Sequence, residues 1–444
     1  MIKKTGYFDI DYSKMGQESY ALIKKLYPIC RSITGDGVRE TLKIIREQIP
    51  IKIVEVPTGT QVFDWKIPRE WNIRDAYIKD SRGRKVVNFK NSNLHVLGYS
   101  TPIKGKVKLK ELKNHLFTMP DNPDAIPYLT SYYKENWGFC VTEKQFKSLK
   151  EDVYEVLIDS KLHNGRLTFA ELYLKGKSKE EVLFSCYICH PSMCNDNLSG
   201  IALLTFLAKH LMGLELKYSY RFLFIPETIG AITWLSLNEK NVKWINCGLI
   251  TTCVGDNGDY TYRKTRDGDA LIDRIVKKAL ADSGKKYAVI DFNASSGSDE
   301  RQFCSPGFNL PIGSLMKTKY GSFPEYHSSA DNLDLVAPEY MADSFRIYSD
   351  VIFIIENNDK YLNLMPKGEP QFGRRGLYRA LSSKDIGPDE ISVFWVMNLS
   401  DGHHTLLDIA LRSRLKFSQI KKTADRLRDL KMIRVFRDRK DKAL

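Results

Sequence analysis

A histidine and a carboxylate stand six residues apart in Cys189-His190-Pro191-Ser192-Met193-Cys194-Asn195-Asp196-Asn197-Leu198-Ser199-Gly200, between two apolar runs, 182–188 and 201–211. A strand that ends in ligand-type side chains and passes into a helix is how an open α/β sheet presents a cation at its carboxyl edge. Three later segments carry matching chemistry. Glu227 follows the apolar run 220–225, Asp299 sits in Gly297-Ser298-Asp299-Glu300-Arg301-Gln302-Phe303, and His327 sits in Glu325-Tyr326-His327-Ser328-Ser329-Ala330-Asp331. Metal-assisted hydrolysis needs about three protein ligands, an open coordination position and a carboxylate to take a proton from water. His190, Asp196 and His327 can supply the ligands to a zinc ion, and Glu227 the base.

Each residue also has a plainer role. His190 beside Pro191 can be a strand-end histidine, Glu227 a helix N-terminal carboxylate favoured by the helix dipole, His327 an ordinary loop residue and Asp299 a turn former. Cys186-Tyr187-Ile188-Cys189-His190 has haem-attachment spacing. That chemistry belongs to exported proteins, and the first nine residues have no apolar signal-like run.

The elements that must position these groups follow from periodicity and punctuation. Helices are expected at 12–26 and 37–48, then a strand at 51–56. From 58 to about 151, short aromatic and β-branched runs alternate with Pro and Gly, which reads as an all-β insertion. Strands near 154–159, 167–174 and 182–188 resume an α/β pattern. It continues through the helix 201–211, strand 220–225, helix 229–237, strand 247–252, and helices 270–282 and 338–357. Such alternation favours a mixed, mostly parallel sheet covered by helices on both faces. Beyond Lys367-Gly368-Glu369-Pro370, helices at 390–399, 405–410 and 417–430 and a strand at 433–436 give the order of a winged helix-turn-helix. The expected domains are therefore 1–57 with 155–365, a β-rich insertion at 58–154, and a winged helix at 370–444.

With these motifs in place, the chain resembles the zinc exopeptidases of the aminopeptidase Y and bacterial leucyl aminopeptidase type. Asp196-Asn197-Leu198-Ser199-Gly200 matches their bridging-Asp motif, and Glu227-Thr228-Ile229-Gly230 lies where a Glu-Glu pair belongs. Ser298-Asp299 to Phe303 and His327-Ser328-Ser329-Ala330-Asp331 match the last two segments. The whole layout is similar to an uncharacterised bacterial family that joins an aminopeptidase-like domain, a β-rich insertion and a C-terminal winged helix. The resemblance implies two ions bridged by Asp196, but the further carboxylates are replaced by Thr228 and Thr252, neutral hydroxyls that ligate hard dications poorly. Ser192 stands where an aspartate would orient the first imidazole. One zinc is therefore favoured over two, with Asp256 as a substitute ligand. Asp299, Arg301 and Arg266 are candidates for contacting or supporting a substrate, the arginines for an anionic group.

Composition bounds the rest. No apolar run approaches the roughly 20 residues that span a bilayer, and eight cysteines in 444 residues fit reduced thiols. A cytoplasmic protein with no membrane partner is expected, and a homo-oligomer is left open. From 412 to 444 the chain carries 13 Lys/Arg against 4 Asp, a net +9. The winged helix is thus a candidate for nucleic acid through Arg414, Lys416, Lys421 and Lys422, or for a protein partner. The expected function is zinc-dependent, aminopeptidase-like hydrolysis of a short peptide or amino-acyl compound. The alternatives are an amide hydrolase for an amino sugar or glycan precursor, and a DNA-binding regulator whose peptidase-like domain senses a ligand.

Overall fold

A computed structural model describes residues 10–150, 152–377 and 388–436. The chain forms two compact units: residues up to Asp273 together with Lys286–Arg346, and Arg274–Lys285 together with residues from Ile347 onward. No helix among the described residues is long and apolar enough to cross a membrane. All eight cysteines are free.

The first unit is built on an eight-stranded mixed sheet. Its spatial order is Lys52–Pro57, Arg166–Leu174, Ser219–Ile225, Glu181–Tyr187, Ile245–Thr251, Ile312–Met316, Tyr260–Arg263 and Tyr287–Ile290. The four strands from Ser219–Ile225 to Ile312–Met316 run parallel, and antiparallel pairs flank them on both sides. Every residue of Glu181–Tyr187 is buried, as its unbroken apolar run requires of a strand covered on both faces. From this strand the chain passes through helix Ser199–Leu211 to the strand on one side. It then passes through helix Ile229–Asn238 to the strand on the other side. That reversal makes a switch point, and a crevice opens at the carboxyl ends of the strands there. Helix Ser199–Leu211 is apolar nearly all round and buried almost throughout, and packs against helix Tyr12–Leu26.

A second, four-stranded antiparallel sheet holds Lys85–Asn88, Glu70–Lys79, Val153–His163 and Ile103–Lys108 in that order. Strand Val153–His163 pairs with Glu70–Lys79 here rather than resuming the α/β sheet, so the expected boundary near 154 falls inside a strand of the inserted sheet. Its burial alternates with period two from Tyr154 through Ser160, the signature of a half-exposed antiparallel strand and not of a sheet centre. Glu70 ties the inserted sheet to helix Asp36–Arg46. It accepts from both terminal nitrogens of Arg39, from the Arg166 amide (3.0 Å) and from Asn72 (3.0 Å).

In the second unit, strands Asp401–Thr405, Lys360–Asn363 and Ile433–Val435 make a three-stranded antiparallel sheet. Helices Pro388–Leu399, Leu406–Ser413 and Phe417–Asp429 complete a winged helix. The two strands at 360–363 and 401–405 extend the order read from sequence, and this unit takes in the last part of helix Pro338–Asn357.

Candidate active site

The segment after Glu181–Tyr187 turns sharply, and each residue of its motif has a job in that turn. Ile188 donates to Ile225 O (2.9 Å) and prolongs the sheet by one bond. The amides of Asn195 and Asp196 both donate to the carboxylate of Asp331, at 2.6 and 2.8 Å. Asn195 accepts from the Gly255 amide (2.8 Å) and donates to Asp256 Oδ2 (2.6 Å). Asn197 donates to Thr251 O (3.0 Å), and Ser199 Oγ donates to Asn195 O (2.7 Å). A Cβ at Gly200 would lie 2.6 Å from Thr251 O, so only glycine lets the helix start this close to the strand.

This scaffold aims Asp196 at two imidazoles. Ligand atoms of His190, Asp196 and His327 all lie within 4.8 Å of one another. Asp196 Oδ2 faces His327 Nε2 at 3.1 Å, and both atoms are buried without a hydrogen-bond partner. Asp196 Oδ1 accepts from the Tyr187 hydroxyl, which is 2.5 Å from Thr252 Oγ1. Burial pushes the His190 imidazole down to about 4, so at neutral pH it is the neutral, ligating form. The buried Arg31 guanidinium donates to His190 O (2.9 Å) and Leu26 O (2.7 Å), fixing the main chain beneath the imidazole. His190 Nδ1 faces Cys189 Sγ at 3.4 Å, where a carboxylate orienter was missing from the sequence. Ser192 instead donates to Tyr27 O (2.7 Å).

His327 has φ +53°, a left-handed conformation that a non-glycine residue holds only when its surroundings impose it. Its carbonyl accepts from the Tyr128 amide (2.7 Å), and Ile126 and Ser329 exchange hydrogen bonds beside it. Its ring stacks on Tyr326 at 3.9 Å. The inserted segment thus braces one member of the cluster.

Glu227 Oε2 is 3.8 Å from His190 Nε2, and its Oε1 accepts from Ser298 Oγ (2.9 Å). Burial first, and then the charge of Asp196, raises its carboxyl above the usual range. Thr228, with φ +61°, gives its amide to Asp299 Oδ1 (2.7 Å). Asp299 is therefore a buried support for the turn that carries Glu227. The other sequence candidates lie elsewhere. Asp256 is engaged by Asn195, Gly258 and Thr318 and stands outside the cluster. Arg266 is exposed and donates to Asn309 (3.2 Å), and neither it nor Arg301 is among the described residues lining the cleft. Arg301 lies close enough to Asp299 for its charge to offset part of that carboxyl's burial cost, whereas Arg266 turns to Asn309. The supports missed in the sequence are Tyr187, Arg31, Cys189 and Ser298.

The cleft in front of the cluster encloses about 380 Å³ and is lined by Cys189, His190, Glu227, Thr228 and His327 on one side. Trp65 and the 128–133 stretch of the insertion contribute the other side. A larger cavity of about 610 Å³ in the second unit, beside Phe372 and Trp395, gathers no comparable set of ligands and base among the described residues.

The mixed sheet, the crevice at its switch point and the winged helix make this an aminopeptidase-like α/β protein with a β-rich insertion. The chain belongs to the family described as a domain of unknown function (DUF4910), matched over residues 20–358, with a winged helix-turn-helix matched over 359–435. It is 56% identical, over 95% of its length and 97% of the relative's, to a Clostridium acetobutylicum protein provisionally named for polysaccharide biosynthesis with an aminopeptidase-like domain. A crystal structure from the same organism, provisionally termed a peptidase, matches with TM-score 0.92 at 55% identity. It covers 96% of this chain and 98% of that one. BSAP, a zinc aminopeptidase from Bacillus subtilis, shares the fold at TM-score 0.57 and 13% identity, over 77% of this chain and 94% of its own.

Proposed function

We propose that the protein is a cytoplasmic, zinc-dependent hydrolase of a small amide, with His190, Asp196 and His327 as ligands and Glu227 as general base. The observation that carries this reading is the cluster itself. Ligand atoms of two imidazoles and a carboxylate lie within 4.8 Å of one another, and the buried Asp196 Oδ2 and His327 Nε2 face each other at 3.1 Å with no further hydrogen-bond partner. Nitrogen and oxygen donors in this number suit zinc with an open position. Their remaining lone pairs, buried with no other partner, are well placed for a cation. One ion is favoured over two because Thr228 and Thr252 replace carboxylates. When bound, the ion supplies Lewis acidity and makes water easier to deprotonate.

The chain's own residues supply the rest. Glu227, raised in basicity and held by Ser298, takes a proton from the attacking water and returns it to the leaving amine. Asp331 and Arg31 fix the main chain at Asp196 and His190, and Tyr128 fixes it at His327. The first substrate reading is a short peptide or amino-acyl compound. The second is an amino-sugar amide, favoured by the name of the Clostridium relative.

The test is zinc content together with turnover. Protein purified without chelator is expected to hold about one zinc per chain, lost in His327→Ala, and to hydrolyse amide substrates only when loaded. Metal-free wild-type protein that turns over amides at the loaded rate would overturn the proposal.

A further inference from the structure

The cleft wall opposite the ligand cluster is an aromatic ledge supplied by the insertion. Trp65, on a two-residue hairpin strand, meets Tyr133 edge-on with ring centroids 5.3 Å apart and planes at 70°. Tyr133 is 63% exposed, so its ring is open to a ligand. Nearer the cluster, the Tyr128 and Tyr132 hydroxyls are hydrogen-bonded at 2.9 Å. The Tyr128 ring lies 5.1 Å from that of His190 and 5.2 Å from that of His327. A second cavity of about 190 Å³ shares Tyr132 and Tyr133 with the cleft, so the ledge continues outward.

The charge of the lining narrows the ligand. Among the described residues that line the cleft beside the cluster, Glu227 is the one carboxylate and no lysine or arginine occurs; Arg69, Lys134 and Glu135 enter only at the outer cavity. A substrate α-ammonium would need an acid other than the base, and a phosphate or carboxylate would need a cation, because an unpaired charge is costly to desolvate. A neutral, hydroxylated, saturated ring meets neither obstacle. Its axial C–H bonds pack against the electron-rich faces of tryptophan and tyrosine. Its hydroxyls find partners in Tyr128, Tyr132 and Thr130, and a cleft of this volume is sized for a small molecule.

We infer that the site takes the N-acyl group of an amino sugar, with the pyranose against Trp65 and Tyr133 and the amide turned toward His190, His327 and Glu227. This rests on the hydrolase reading and specifies its substrate class. Water adds across the C–N bond: its oxygen goes to the acyl carbon, both its protons end on the amine nitrogen, and a carboxylate and a protonated amino sugar leave.

The experiment titrates zinc-loaded wild-type protein and Glu227→Gln, in which turnover is stopped, with N-acetylglucosamine and with leucinamide, read by saturation-transfer NMR. The sugar is expected to bind both proteins more tightly than leucinamide, with saturation strongest on one face of the ring. Tyr133→Ala should weaken it about tenfold, the size of one lost stacking contact, while Trp65→Phe keeps binding. Preference for leucinamide, or sugar binding indifferent to Tyr133→Ala and Trp65→Ala, would overturn the inference. Sugar bound on the ledge of a loaded wild-type protein that does not cleave its amide would remove the hydrolase reading and leave the binding ledge standing.

Discussion

Glu227→Gln separates what this carboxylate does for chemistry from what it costs the fold. Glutamine keeps the shape and can still accept from Ser298 Oγ, now 2.9 Å away, but it cannot take a proton. Loss of a positioned general base costs about 10²–10⁴ in kcat, or about 3–5 kcal/mol in the barrier. Stability moves the other way. Burial and the neighbouring Asp196 charge raise the Glu227 carboxyl above its unfolded value, so the ionised form is disfavoured in the native state. For such a group, the stability present below about pH 4.5 is lost as pH rises through the folded value. The side chain is 30% exposed to the cleft, so screening reduces the penalty, and about 1 kcal/mol is a fair expectation. His190, depressed to about 4, contributes the opposite slope: its stability is lost as pH falls from about 6.5. That slope is common to both proteins and cancels in the difference. The assay is urea unfolding of the metal-free proteins at pH 5 and 8, beside zinc content and amide turnover of the loaded forms. The variant should keep its zinc, lose at least 99% of turnover, and be no less stable than wild type at pH 8. More than a tenth of wild-type kcat, loss of zinc, or destabilisation beyond about 1 kcal/mol at pH 8 would each refute the reasoning.

Asp331→Ala strips the acceptor from two buried amides that set Asp196. Zinc affinity, measured by competition with a chromophoric chelator, should fall about 10–100-fold, and an unchanged affinity would show that the turn stands without it. At Glu70, burial alone would raise the carboxyl, but hydrogen bonds from Arg39, the Arg166 amide and Asn72 bring it down to about 2. Its stabilisation is present above about pH 4.5 and lost as pH falls toward 2. Glu70→Gln should therefore cost about 2 kcal/mol at pH 7 in urea unfolding, with the gap to wild type closing at pH 2, and an equal gap at both pH values would refute the assignment. In helix Phe417–Asp429, Lys421 pairs with Asp425, and Arg428 with Asp425 and Asp429. Lys421 being paired, Arg414, Lys416 and Lys422 are left of the four candidate phosphate contacts, so if they meet duplex DNA the log–log salt slope should be about −3, and salt-independent binding would remove them as phosphate contacts.

What could be read from the sequence was what local chemistry dictates. Asp196-Asn197-Leu198-Ser199-Gly200 was legible because a tight strand-to-helix turn needs a ligand, an amide, a hydroxyl and a missing Cβ at fixed offsets, and the structure uses each of them. The parallel centre was legible because strands covered on both faces leave unbroken apolar runs. Asp331 was visible only as the end of a motif, since its bonds to Asn195 and Asp196 span more than 130 residues. The burial of Arg31 beneath His190 has no sequence signal. Arg266 shows the converse: a charge near a motif in sequence says nothing of where its side chain points, and this one turns to Asn309. Strand Val153–His163 carried the right signal in its alternation, but its neighbours in sequence drew it into the wrong sheet.

The one-ion reading has a basis beyond the two missing carboxylates. An aspartate that bridges two ions gives one oxygen to each. In Asp196, Oδ1 already accepts the Tyr187 hydroxyl, while Oδ2 has no neighbour of that kind beyond the facing His327. That hydroxyl is buried, and burial pushes its pKa well above the ordinary phenol value, so it stays a donor and has no use for a cation. Thr252 stands where the resemblance expects a second carboxylate, and its hydroxyl lies 2.5 Å from that of Tyr187. The two hydroxyls thus satisfy Oδ1 of the Asp196 carboxylate without adding a charge. Substituting a carboxylate for threonine alone would leave the tyrosine hydroxyl on Oδ1. On the one-ion proposal, Tyr187 therefore bears on the count as much as either threonine does.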